Sequence, residues 1–265
     1  MNPFQLTSAT GKPYQVNLPE PKKGLKKAYI FAFAKSGSTL LDNMVSTYCQ
    51  LMNVPSFSLF NAAFGQGIGT NDIAEDACIC IEQEGIIYTG FRHFPAFNLE
   101  LSGANTILLT RDPRDMLVSM YYSIIKSHVI PEGNTRMHDN RKRVALLDIN
   151  DFVIKSVKTY NQNFQRYRLM LDNSDLAIFR YEDVIFEKEK WLNEVVIKLG
   201  LEAVPQIITS VAKLFDVIPE RENEGEHIRQ VHPGNYLKKL TPDTIVKLNA
   251  QLSDFLSYFN YENQG

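Results

Sequence analysis

The stretch Ala28–Leu40, AYIFAFAKSGSTL, is a short apolar run that passes directly into Lys35-Ser36-Gly37-Ser38-Thr39. Seven apolar residues, Ala28 to Ala34, bounded by charge suit a buried parallel strand. Leu40, Leu41, Met44, Val45, Tyr48 and Met52 then recur at helical spacing. The turn between them holds a Lys, a Gly and hydroxyl side chains. A strand–turn–helix of this composition aims free backbone N–H groups and an ammonium at one point, which makes a cradle for a phosphate or sulfonate.

A nucleoside-triphosphatase loop would need G-x-x-x-x-G-K-[ST], with the Lys after the last Gly. Here Lys35 precedes Gly37, and no Gly stands four to six residues upstream of it. A surface turn that binds nothing remains the plain alternative, so a second anchor is required. Residues 104–125, ANTILLTRDPRDMLVSMYYSII, supply one. Thr106–Thr110 reads as another buried strand, Asp112 as a helix N-cap, and Pro113 as the favoured first helical residue. Met116, Leu117, Met120, Tyr121, Ile124 and Ile125 mark an amphipathic helix. Arg111 falls at the strand's C-terminal end, where ligands bind in open α/β sheets. Ser119 lies seven positions beyond the cap, and seven steps of about 100° return it to nearly the cap's side. One phosphate can therefore meet both Arg111 and Ser119. The alternative is an Arg111–Asp115 surface pair beside an ordinary helix Ser.

Together the two anchors resemble the sulfotransferases that use 3′-phosphoadenosine-5′-phosphosulfate (PAPS). That family carries a K-S-G-T-T-W-type loop where this chain has KSGSTL, and an R-[ND]-P-[KR]-D-x-x-V-S stretch where it has RDPRDMLVS. Its R-K-G-x-x-G-[DN]-W element is matched in part by Arg229–Tyr236, RQVHPGNY. Its Y-E-D block and the helix closing on L-G-L are matched by FRYED at 179–183 and by Leu199-Gly200-Leu201. All four blocks stand in family order across about residues 28–241. The resemblance implies a single α/β domain, a mostly parallel sheet flanked by helices, with a P-loop-like strand–loop–helix. It implies PAPS as cosubstrate, bound by Lys35, Ser36, Gly37, Ser38, Thr39, Leu40, Gln230 and Gly234, with Arg111, Ser119 and Arg229 toward the 3′-phosphate and Tyr181 toward adenine. Lys35 would act on the leaving oxygen. His93, in the family's H-x-P position as Arg92-His93-Phe94-Pro95, would be the catalytic base.

Three departures bear on that carry-over. Phe91 stands where many relatives have a Lys two residues before the His, so Arg92 or another cation replaces it or none is needed. Leu40 stands where the family often stacks a Trp on adenine. Leu237–Val246, LKKLTPDTIV, departs from the family's K-x-x-x-T-V-x-x-x-E dimer segment at Pro242 and lacks its Glu, which implies a monomer or a dimer through another surface.

The 265 residues fit one large α/β domain, with residues 1–26 as an N-terminal extension and no repeat or long linker. With 28 basic and 30 acidic residues, the charge argues against general nucleic-acid binding. Cys49, Cys78 and Cys80 make neither a disulfide framework nor a zinc site, and no metal-ligand cluster is read. The apolar runs fall short of a membrane span, and Lys35 directly after one argues against a signal peptide, so a cytoplasmic enzyme is expected. Val153, Val157, Tyr160, Phe164, Tyr167 and Leu171 form a core stripe on a helix, and Asp175–Tyr181 reads as a strand. Gly200 ends the helix that carries Trp191, and a last helix runs from about Thr241 to about Phe259. Residues 131–143, PEGNTRMHDNRKR, read as a mobile solvated loop.

Residues 55–84 would form part of the acceptor pocket, where Asp72, Glu75, Asp76, Glu82 and Glu84 either favour a polar or cationic small molecule or make a solvated charged loop. A secondary metabolite, a saccharide and a phenol all stay open, as do hydroxyl and amine acceptors. Two readings from other classes stand beside this one. An atypical ATP-dependent small-molecule kinase would need magnesium, and the missing GK[ST] counts against it. A non-catalytic nucleotide-binding protein of the same fold would be expected to lose Lys35 or His93 first, and both are present.

Overall fold

The computed structural model describes residues 2–95, 99–127, 135–171, 175–222 and 230–261. Strands β1 (Asn2–Thr7) and β2 (Pro13–Leu18) form an antiparallel hairpin, so the expected N-terminal extension is ordered structure. Tyr14, Val16 and Leu18 alternate inward along β2, which is the period of a half-buried strand. Strand β3 (Ala28–Ala32) is buried at every position and leads into helix α1 (Ser38–Leu51). Next come β4 (Ser56–Phe57), α2 (Leu59–Phe64), β5 (Ile87–Phe91), β6 (Asn105–Thr110) and α3 (Pro113–Tyr122). Asp112 caps α3 as expected, its carboxylate accepting from the Arg114 N–H at 2.9 Å, with Pro113 opening the helix.

The chain continues through α4 (Thr135–Ala145), α5 (Ile149–Leu171), β7 (Leu176–Arg180), α6 (Tyr181–Val184), α7 (Lys188–Lys198) and α8 (Pro205–Leu214). It ends with α9 (Tyr236–Lys239), α10 (Pro242–Gln251) and α11 (Ser253–Tyr258). Helix α7 closes as read. The Gly200 and Leu201 N–H groups donate to the Ile197 and Val196 carbonyls at 2.9 and 3.1 Å, the paired bonds of a glycine-terminated helix.

Three expectations need correcting. Thr135–Ala145 is a helix rather than part of a loop over 131–143; residues 131–134 lie outside the described set. Among the side chains described in it, Val144 alone is buried, so no apolar stripe announced it. The strand expected at Asp175–Tyr181 ends at Arg180, and Tyr181 opens α6. The last helix breaks at Leu252, where Asn161 Nδ2 takes the Gln251 carbonyl at 2.8 Å and draws it off the helical ladder.

One sheet has the order β4-β5-β3-β6-β7, with β3 parallel to both β5 and β6, and β4 parallel to β5. From β3 the chain passes to β4 on one side, and from β6 to β7 on the other. The switch point therefore falls at the C-terminal ends of β3 and β6, where an open α/β sheet offers its crevice.

Two compact units are distinguished: residues 1–109 with 167–216, and residues 110–166 with 217–265. The first holds the sheet, α1, α2, α7 and α8. Its core is aromatic: Phe31 lies 4.7 Å from Phe91 and 5.5 Å from Phe94, and Tyr29 stacks on Tyr88 at 5.5 Å, by ring centroids. The second is helical, with Phe164 of α5 packed on Phe255 at 5.1 Å and Phe259 at 5.8 Å. Val153, Val157, Tyr160, Phe164 and Tyr167 of the expected α5 stripe are buried, while Leu171 at its end is half-buried. A single domain was expected because no linker composition appears. Of the three crossings between units, two fall inside β6 and α5, continuous elements, and the third follows α8 at 216–217.

Candidate active site

In the first unit the Lys35 turn is built by its backbone. Ser36 sends both its N–H and its hydroxyl to the Phe33 carbonyl, at 3.1 and 2.7 Å, and is fully buried. Lys35 lies at φ 72° and Gly37 at φ 96°, two left-handed residues that bend the chain from β3 into α1. Such a conformation at a non-glycine residue carries strain, and Lys35 holds it beside a helix start. Gly37 is the N-cap of α1 and contributes no side-chain cap. No side chain caps the first N–H groups of this helix of 14 residues, the kind of helix start that suits an anion, and Ser38, Thr39 and Leu40 are half-buried around it.

Tyr181 closes over this turn. A Cβ at residue 37 would stand 2.8 Å from Tyr181 Cδ2, so only glycine admits the ring so close. The Tyr181 side chain is buried against the turn. His93 follows β5 by two residues and is half-buried, while the next residue, Phe94, is anchored on Phe31. Phe91 belongs to the aromatic core, which accounts for the missing Lys there. The neighbouring Arg92 instead points its Nη2 at Thr39 Oγ1, 3.4 Å away.

Sequence reading missed Asp42. It lies in the buried face of α1, and its carboxylate accepts from the Gly90 N–H at 2.8 Å. Burial pushes this carboxyl above its ordinary value, against hydrogen bonds from Thr89, Gly90 and Asn61 and the charge of Arg92. Asp42 thereby ties α1 to the end of β5 that carries Arg92 and His93.

In the second unit Arg111 and Asp115 do pair, at 3.2 Å, but the pair is buried rather than on the surface. Asp115 also accepts from the N–H groups of Gly234 and Tyr236, each at 2.9 Å. Ser119 is half-buried farther along α3. The structure thus brings the RDPRD block and the Gly234–Tyr236 end of RQVHPGNY together. Gln230 is described and half-buried; Arg229 lies outside the described residues. Arg114 was not anticipated. Its guanidinium forks onto Asp112 at 2.7–3.2 Å, lies 4.2 Å from the Tyr236 ring centre, and reaches the Asn249 side chain and the Tyr261 carbonyl. Thr110 Oγ1, next to Arg111, is buried with no hydrogen-bond partner among the described residues.

Residues 89–238 match the sulfotransferase domain family, more than half of the chain, and the chain belongs to that family. No curated protein matches it. Among solved structures it is similar to a mouse sulfotransferase, SULT7A1, complexed with PAP: TM-score 0.59 and 10% identity, over 87% of this chain and 84% of that one. It is also similar to retinol dehydratase in complex with androsterone and the inactive cofactor PAP, at TM-score 0.55 and 12% identity, over 87% and 80%. A second retinol dehydratase structure, with retinol and PAP, gives TM-score 0.55 and 13% identity over 93% and 88%. At such identities the likeness is one of fold. Among the described residues, no helix is long and apolar enough to cross a membrane.

Proposed function

We propose that this sulfotransferase moves the sulfuryl group of PAPS onto a hydroxyl or amine of a small-molecule acceptor. The observation that carries the reading is the Lys35–Thr39 turn: an uncapped helix start, a glycine pressed against Tyr181, and a strained lysine beside them. These residues fit a 5′-phosphosulfate. The N–H groups of Gly37, Ser38 and Thr39 would hold its phosphate, and Lys35 would neutralise the bridging oxygen as the sulfur–oxygen bond breaks. Arg111, Ser119, Arg229, Gln230 and Gly234 would read the 3′-phosphate. Tyr181 and Leu40 would face adenine, without the family's Trp.

His93 would take the acceptor's proton while the acceptor oxygen bonds to sulfur, leaving 3′-phosphoadenosine-5′-phosphate (PAP) as the departing group. Arg92, held near Thr39, is the cation at the position shifted by one from the family Lys. The similar structures that hold retinol or androsterone support a small-molecule acceptor. A cytoplasmic location and a monomer, or a dimer away from Leu237–Val246, complete the reading.

Thermal denaturation with PAP, ADP or ATP–magnesium tests the donor. PAP is expected to stabilise the protein selectively. Equal or larger stabilisation by ATP–magnesium would favour a kinase. At the acceptor end, His93→Ala should lose most turnover on an alcohol while keeping stabilisation by PAP. In wild type, kcat/KM should rise with pH through the imidazole titration, because only the neutral ring accepts a proton. Near wild-type sulfation of an alcohol by His93→Ala would assign the base elsewhere.

A further inference from the structure

We propose that Asp115 is a positioning residue that holds Arg111 and the Gly234–Tyr236 backbone as one preassembled receptor for the 3′-phosphate; this rests on the donor reading given above. Its Oδ2 accepts from Arg111 Nη2 at 3.2 Å and from the Gly234 N–H at 2.9 Å, and its Oδ1 accepts from the Tyr236 N–H at 2.9 Å. A carboxylate buried as deeply as this one is held by its donors, and here the donors come from segments about 120 residues apart in sequence. The arrangement is braced by the preceding residue, Arg114, which is fixed by Asp112 and stacks on Tyr236. An arginine fixed before the ligand arrives loses little further side-chain freedom on binding, which strengthens recognition of the group it meets. Splitting one carboxylate between the arginine and the loop also sets their relative geometry, which neither segment fixes alone.

A different role would give the opposite sign. Were Asp115 only a counter-charge to Arg111, removing its negative charge would strengthen anion binding. Asp115→Asn, near in shape, separates the two, and the readout is the ratio of affinities for PAP and 5′-AMP, which differ by the 3′-phosphate alone. The expected result is a loss of about tenfold in PAP affinity with 5′-AMP binding within about twofold of wild type, about 1.4 kcal/mol confined to the 3′-phosphate. General damage to the fold would lower both affinities together.

Should Asp115→Asn fail to fold, Gly234→Ala carries the test. At φ 79° alanine strains the turn that Asp115 holds, yet its Cβ would meet nothing nearer than Leu237 Cδ1 at 3.9 Å. The same selective loss is expected. An unchanged PAP to 5′-AMP ratio in the folded variants, or tighter PAP binding, overturns the proposal. A wild type that does not prefer PAP over 5′-AMP instead fails the donor reading itself, and this inference with it.

Discussion

Lys35 is the residue where function and local conformation disagree most. An L-residue in the left-handed region costs on the order of 1 kcal/mol relative to glycine, and φ at Lys35 is 72°. We therefore expect Lys35→Gly to be more stable than Lys35→Ala by about 1 kcal/mol, while both lose turnover more than nucleotide affinity. Equal melting temperatures for the two variants would mean that the turn is not strained. Asp42 offers a second test. Its folded-state carboxyl sits above the ordinary value because of burial, so the folded chain keeps this proton to higher pH than the unfolded chain. The stability it contributes is full below the unfolded value and falls as pH rises through the folded one. Asp42→Asn has no such proton to lose. Its melting temperature relative to wild type should improve as pH rises from about 4 toward neutrality, near and above the ordinary carboxyl range. A difference that does not change with pH would contradict the assignment.

At the scale of elements, strand and helix positions around the cradle were legible because β3, α1, β6 and α3 have clear apolar patterns, and α3 opens on a conventional Asp-Pro cap. The hairpin β1–β2 was also written in the sequence, in the alternation of Tyr14, Val16 and Leu18, but an extension was the reading made. Helix α4 lacks an apolar face, so pattern reading had nothing to grip. Asp42, Arg114 and Asp115 were not legible in the roles they take. A polar side chain on a helix ordinarily means solvent, and what buries these three are partners such as Gly90, Tyr236 and Tyr261, which lie 48, 121 and 147 residues away. The junction of β3 and α1 carries its own prediction. Gly37→Ala adds a left-handed penalty and drives a Cβ to 2.8 Å from Tyr181. It should destabilise by roughly 1–3 kcal/mol and weaken PAP binding. Wild-type stability and affinity in Gly37→Ala would show that Tyr181 moves aside freely.

For the whole molecule, the residues assigned to the donor divide between two units. The cradle lies in the unit that holds the sheet, and the arginine cluster in the helical one. The chain runs from one to the other inside β6 without a linker there, and one residue, Thr110, separates Leu109 from Arg111. What sequence could not display is the clustering of RDPRD with Gly234–Tyr236, which depends on the return of the chain after residue 217. The central claim is that the 3′-phosphate of the donor is read by Arg111. Titration calorimetry of PAP and 5′-AMP against wild type and Arg111→Ala tests it most directly. Wild type should bind PAP at least tenfold more tightly than 5′-AMP, and Arg111→Ala should lose roughly 2–4 kcal/mol for PAP, as expected for breaking a desolvated charge pair, with little change for 5′-AMP. Equal wild-type affinity for the two nucleotides, or an Arg111→Ala variant that retains the preference, would contradict the account.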